Sequence, residues 1–199
     1  MSEPEVVLAT VRDRRRVLDT VAAAFRRDPA FRFFFPDDAT YSGLVGRFAG
    51  VLFDRRLGTG TAWVIEGGNA VALWDPPVGW TADRPHATRD VPASAELPSD
   101  VQARIDAWDT IVHALLPVEP HWYLGVLAVD PTRAGRGLGR AVMAAGLARA
   151  RDDGLPACLE TATQANVALY IRGGWAVVST AEVGGIRTWV MRHPGGSTV

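Results

Sequence analysis

Lysine is missing altogether: all 21 basic residues of this 199-residue chain are arginines. A phosphate loop ending in Gly-Lys-Ser/Thr is thereby excluded, and arginine-only usage reads as a base-composition bias of the source genome. Cysteine is nearly missing too. Cys158 alone cannot close an internal disulfide, and its apolar setting in "PACLET" reads as packing rather than as a nucleophile. No apolar run approaches the roughly 20 residues that cross a bilayer. The opening "MSEPEVVLATVRDRRR" lacks a basic segment followed by an apolar core, so no secretory signal is expected and a cytoplasmic location is. Excess positive charge is absent as well. The formal net charge of −1 argues against a nucleic-acid partner, which requires a basic face. Neither a metal nor a membrane partner is expected.

What the chain does have is material for a core, with 48% hydrophobic residues, far from the disordered regime. "EVVLA" reads as a first strand. Asp13 is a plausible N-cap for a helix carrying Val17, Leu18, Val21 and Phe25 at helical spacing. In "RRDPAFRFFFPDD" two prolines bracket four phenylalanines, which suggests a break with a loop-borne aromatic patch. A second helix carries Tyr41, Leu44, Val45, Phe48, Val51 and Leu52, and "TAWVIE" and "AVALW" form a hairpin across "GGN". Residues 75–98 read as a long loop. Ser99 and Gln102 suggest a capping box ahead of a helix burying Val101, Ile105, Trp108, Val112 and Leu115. "HWYLGVLAV" is a strand, Gly137 to about Asp152 a helix, "ACLETA" a strand and "NVALYIR" a short helix. "WAVVSTAEV" and "IRTWVMR" close the chain as a β pair, followed by a frayed tail from Pro194. The order predicts an α/β (α+β) fold with a mixed, mostly antiparallel sheet and one parallel crossover.

The segment "VDPTRAGRGLGRAV" carries the most chemistry. A buried strand runs into a helix start whose amides lack intrahelical partners, and with the helix dipole these make an anion site. Gly135, Gly137 and Gly139 let a phosphate approach, and Arg133, Arg136 and Arg140 add positive charge. The G-x-G-x-G spacing differs from the dinucleotide fingerprint. This stretch resembles the acetyl-CoA-binding segment of the GNAT superfamily of N-acetyltransferases, Arg/Gln-x-x-Gly-x-Gly/Ala, with Gly137 and Gly139 on the glycine places. "NVALYIRGGW" resembles the same superfamily's Asn…Tyr-x-x-x-Gly-Phe segment through Asn166, Tyr170, Gly174 and Trp175. "AAAFRRDPAFR", "EPHWYLGVLAVDP", "GLPACLETATQANVALY" and "RTWVM" look like the puromycin N-acetyltransferases and their actinobacterial relatives. Three places depart from the pattern. Ala134 replaces Gln or Arg, "IRGGW" replaces "ERLGF", and Asp28 replaces an aromatic.

The resemblance implies a GNAT fold and a single N-acetyltransferase domain over 1–199, with an acceptor-binding half at about 1–118 and an acetyl-CoA-binding half at about 119–193. The strands "YLGVLAV" and "CLETA" would splay to admit the pantetheine arm. Leu127, Ala128 and Val129 would bond that arm, and Ala134, Gly135, Arg136, Gly137, Leu138, Gly139 and Arg140 would hold the pyrophosphate. Asn166 would position the cofactor or serve as an N-cap. Tyr170 would protonate the leaving thiolate. Many relatives carry a glutamate as base where Tyr123 stands here. Glu119, His121, Glu160 and Asp28 are therefore the alternatives, along with a water chain. Asp28, Phe31, Trp80, Trp122 and Tyr123 are expected at the acceptor pocket. The activity implied is transfer of an acetyl group to a small-molecule amine, in an antibiotic-resistance or self-protection role, by a monomer or homodimer. A protein or peptide amine as acceptor, and an acetyl-CoA sensor without catalysis, remain as alternatives.

Overall fold

The computed structural model describes residues 4–77 and 97–195. Its sheet has seven strands in the order β1-β2-β3-β4-β5-β7-β6, namely β1 (Val6–Leu8), β2 (Ala62–Ile65), β3 (Ala70–Asp75), β4 (Trp122–Val129), β5 (Ala157–Thr161), β6 (Ala176–Val183) and β7 (Ile186–His193). All neighbours are antiparallel except β4 and β5. Helices α1 (Arg14–Ala24), α2 (Pro29–Phe34), α3 (Asp38–Thr59) and α4 (Ser99–Leu115) share one apolar core against the sheet. Helices α5 (Leu138–Asp152) and α6 (Gln164–Arg172) share a second core. Among the described residues no helix is long and apolar enough to cross a membrane.

Two features of β4 create the site. First, β4 and β5 are paired only at Trp122↔Ala157 and Tyr123↔Cys158. Beyond Tyr123 the β5-facing edge of β4 has no strand partner among the described residues, so the two strands part as the sequence resemblance implies. Second, β4 carries a bulge. Leu73 pairs with Val126 and Trp74 with Leu124, which leaves Gly125 as an extra residue. Such an insertion reverses the faces of the strand. Trp122 and Leu124 accordingly pack in the α5–α6 core, whereas Val126 and Ala128 pack in the α1–α4 core.

Helix ends account for most differences from the sequence reading. The "DPAFRFFF" segment is helical. Asp28 caps α2 by accepting from the amides of Ala30 and Phe31, with Pro29 at the first helical position. The rings are core rather than loop-borne: Phe31, Phe34 and Phe35 are buried, and Phe31 stacks on Phe25 at 4.2 Å. At α1 the capping box belongs to Thr10 and Asp13 around a single 3-10 turn. Asp13 makes no side-chain cap on α1 itself. The Ser99/Gln102 box does not form. Pro98 is the N-cap residue, its carbonyl accepts from the Gln102 amide, and the Gln102 side chain bonds Asp106 instead. The final residues 196–199 and most of the 75–98 loop, including Trp80, lie outside the described residues.

Candidate active site

The loop from Asp130 to Arg140 is anchored from below and open above. Asp130 caps its own turn through the Thr132 amide and pairs with Arg16 of α1. Arg16 also bonds Asn69, and Arg133 pairs with Glu66 at 2.9 Å. Arg133 is therefore committed to the β2–β3 turn, which corrects its expected place beside a phosphate. Arg136 and Arg140 are exposed. Gly137 caps α5 in the left-handed region, with φ 76°. None of the six amides from Gly135 to Arg140 finds a backbone or side-chain acceptor among the described residues. A Cβ at Gly135 or Gly137 would meet nothing within 4 Å, whereas one at Gly139 would touch Val129 at 3.4 Å. The first two glycines thus leave an open row of donors, and the third lets α5 sit close on β4.

Past this loop the parted strands frame a narrow cavity lined by Asp28, Phe31, Leu127, Glu160, Asn166 and Tyr170, among others. Tyr170 follows Asn166 by one helical turn, so both side chains leave α6 on the same face. The Asn166 amide donates to Thr161 Oγ1 at 3.3 Å. Its position in the first turn, with Thr163 as N-cap residue, corrects the N-cap alternative. Tyr170 is 8% exposed and packs edge-on against Trp175. Burial, then the Glu160 and Asp28 carboxylates, push its phenol well above the ordinary range. It is a proton donor at neutral pH.

Glu160 stands at the junction of this cavity with a second one, lined by Phe31, Phe34, Phe48, Trp108, Asp109, His113, Tyr123, Arg56 and Asp75 among others. The Tyr123 hydroxyl donates to the Glu160 carboxylate. Burial pushes the Glu160 pKa up to about 7, and Asp109 adds to the rise while the Tyr123 hydrogen bond and Arg56 oppose it. A carboxylate poised near neutrality within reach of a cavity meets the requirement for a general base.

The other expected site residues separate by strand face. Tyr123 and Phe31 line the second cavity. Trp122 does not: it points to the opposite face, is fully buried and donates from its indole to Asp153 at 2.8 Å. Its expected place at the acceptor pocket is therefore corrected. Leu127 lines the first cavity. Ala128 is turned into the α1–α4 core and Val129 packs against the α5–α6 core, so both have only backbone to offer. Glu119 and His121 lie at the entry to β4. Glu119 pairs with Arg192, the His121 ring bonds the Glu119 carbonyl, and neither lines the cavity that holds Tyr170. Asp28 reaches the first cavity, but its Oδ1 is occupied by the α2 amides. Asp28→Ala should lower stability by about 1 kcal/mol through loss of the cap, read as a shift in the denaturation midpoint.

Sequence reasoning missed Arg56, Asp75, Asp109 and Gly125. One signal was present: Arg56 continues the Tyr41, Val45, Ala49, Phe53 stripe of α3, where an arginine is out of place unless paired.

The sheet order, the parted parallel strands and the amide-lined loop define the GNAT fold. Residues 101–174 match the acetyltransferase (GNAT) family. Mycothiol acetyltransferase of Salinispora tropica is 36% identical over 123 residues, 49% of this chain and 40% of that protein. This chain therefore covers well under half of that relative's length. A histone acetyltransferase HPA2-related structure from Corynebacterium glutamicum superposes with a TM-score of 0.67 at 22% identity, over 100% of this chain and 99% of that one. The polyamine N-acetyltransferase of Drosophila melanogaster does so with a TM-score of 0.60 at 16% identity, over 94% and 99%. The match to the family model spans residues 101–174, and the fold is shared with solved acetyltransferases. Acetyltransferases of this family use acetyl-CoA. Among the described residues no cluster of His, Cys, Asp or Glu is placed to hold a metal ion.

Proposed function

We propose that this protein transfers the acetyl group of acetyl-CoA to a primary amine of a small molecule. The observation that carries the reading is Glu160, with a pKa of about 7, at the junction of a Tyr170-lined cleft and an aromatic-walled cavity. The pairing of a near-neutral base with a protonated phenol favours catalysis over an acetyl-CoA sensor.

Acetyl-CoA fits the residues present: the free amides from Gly135 to Arg140 match a pyrophosphate, and the unpaired edge of β4 past Tyr123 matches an extended pantetheine arm. When bound, it supplies the thioester carbonyl that the amine attacks. Phe31, Phe34, Phe48 and Trp108 shape the acceptor side and exclude water. Glu160 takes the proton from the amine nitrogen, and Tyr123 keeps the carboxylate oriented. Asn166 holds the lip of α6, and Tyr170 donates its proton to the departing sulfur. The carboxylate that many relatives place on β4 stands here on β5. The finer reading is an antibiotic or aminonucleoside-like acceptor met in the cytoplasm by one transferase domain. It rests on the sequence resemblance to the puromycin N-acetyltransferases.

The cofactor half of this reading is tested by melting. At 100 times its dissociation constant acetyl-CoA should stabilise the fold by about 2.7 kcal/mol, a rise of several degrees. Gly137→Val should abolish that rise, because a β-branched residue resists the left-handed conformation that aims the amides outward. Equal rises in both proteins would refute the assignment of this loop. The catalytic half is tested by release of free CoA thiol when amines are added to enzyme and acetyl-CoA.

A further inference from the structure

Arg56 is 3% exposed, in a place where an uncompensated charge would be costly. Two of its three nitrogens are compensated: Nη2 binds Asp75, and Nη1 donates to the Leu52 carbonyl at 3.1 Å, while Nε finds no partner among the described residues. Its guanidinium lies against Gly125, the bulge residue that β3 skips between Leu124 and Val126. A Cβ at Gly125 would fall 2.6 Å from Nη2, so the bulge admits the guanidinium only because that residue is glycine. Two residues before the bulge is Tyr123, and across from Tyr123 is Glu160.

We infer that Arg56 is a positioning residue for the transfer proposed above: packed on the Gly125 bulge and tied to Asp75, it holds Tyr123 and Glu160 in place. The inference rests on the proposed reaction for its meaning but on geometry for its support. Arg56 is the cation that tempers Glu160 and Tyr123. The other charged or titratable groups around Glu160 are Tyr123 of β4, Asp109 and His113 of α4, Tyr170 of α6, Asp28 at the cap of α2, and Asp75 of β3. Arg55 of α3 lines the same cavity but faces Asp75. The Tyr123 hydrogen bond is the largest brake on the rise that burial and Asp109 impose, and the Arg56 charge adds to it, so losing Arg56 removes its own field and loosens the Tyr123 bond as well.

The test is a carboxyl-carbon NMR titration of Glu160 in full-length protein labelled at glutamate, with the resonance assigned by its loss in Glu160→Gln. In Arg56→Met the midpoint should move up by about one pH unit from its value near 7. Asp75 keeps Arg55 as a partner at 3.2 Å, so this variant does not strand a carboxylate. Arg56→Lys should recover much of the shift. Gly125→Ala, which pushes the guanidinium off the bulge, should reproduce it in part and carries the test if Arg56→Met fails to fold. Acetyl-CoA affinity should be unchanged in Arg56→Met. The kcat at pH ~7 should fall about fivefold and recover toward higher pH, as the ionised fraction of Glu160 dictates. A Glu160 midpoint unmoved in folded Arg56→Met, or in folded Gly125→Ala, would overturn the inference. The titration needs no turnover, so a shifted midpoint without acetyl transfer would sink the proposed reaction while leaving the hold of Arg56 on Glu160 standing.

Discussion

Glu160→Gln should lower kcat by about 10²–10⁴-fold, the usual worth of a positioned base, and at the same time make the protein harder to unfold above neutrality. The activity loss follows from removing the proton acceptor at the junction of the two cavities. The stability gain follows from the raised pKa of about 7, above the ordinary glutamate value. A carboxyl raised in the fold favours the folded state fully below its unfolded pKa, and that benefit is lost as pH rises through the folded value. At pH ~8 the wild type therefore carries a buried charge that costs up to roughly 3 kcal/mol. Glutamine keeps an oxygen to accept from Tyr123 and carries no charge. Melting of the two proteins should coincide near pH ~4 and diverge, with the variant higher, as pH passes 7. The pH–rate profile adds an independent mark. Wild-type kcat should rise through about pH 7 and level off, whereas the variant should show no limb there. A residual limb at the same pH in the glutamine variant would assign the base elsewhere, to His121, Asp28 or water.

Tyr170→Phe should cost a similar factor, about 10²–10⁴ in kcat, with the Michaelis constant for acetyl-CoA nearly unchanged. The ring stays, along with its edge-on contact to Trp175 at 5.9 Å, so folding should be little affected. A thioester with a better leaving group should regain part of the loss, because it needs less protonation. If the variant turns over within about threefold of wild type while chemistry limits the rate, the phenol is packing and the sulfur leaves unaided.

These two residues were legible in the sequence for different reasons. Tyr170 came from its spacing to Asn166 and from the segment around it. Glu160 was one of several acids and could not be separated from Glu119 by pattern, since only the fold brings it opposite Tyr123. The glycine loop was legible because three glycines after an apolar strand have few structural explanations. The Trp122 error runs against the alternation of a strand: neighbouring residues point to opposite faces, so Trp122 and Tyr123 could not both reach one pocket. What the sequence does hide is the bulge at Gly125, an extra residue that the partner strand alone reveals, and with it which residues beyond Gly125 share the Tyr123 face. The "DPAFRFFF" helix was legible and was misread. An aspartate before a proline is a helix start, with the side chain as cap and the ring at the first position, and the prolines drew attention as breakers instead. Arg56 was hidden because its partner Asp75 sits 19 residues away on another element.

The most direct measurement is mass spectrometry of a panel of primary amines, puromycin and simple aliphatic and arylalkyl amines included, incubated with acetyl-CoA and either wild type or Glu160→Gln. At least one amine should gain a single acetyl group with wild type and gain it far more slowly with the variant, at acetyl-CoA concentrations that stabilise both equally. Wild type that binds acetyl-CoA yet acetylates no amine, or a variant that acetylates as fast as wild type, would contradict the account.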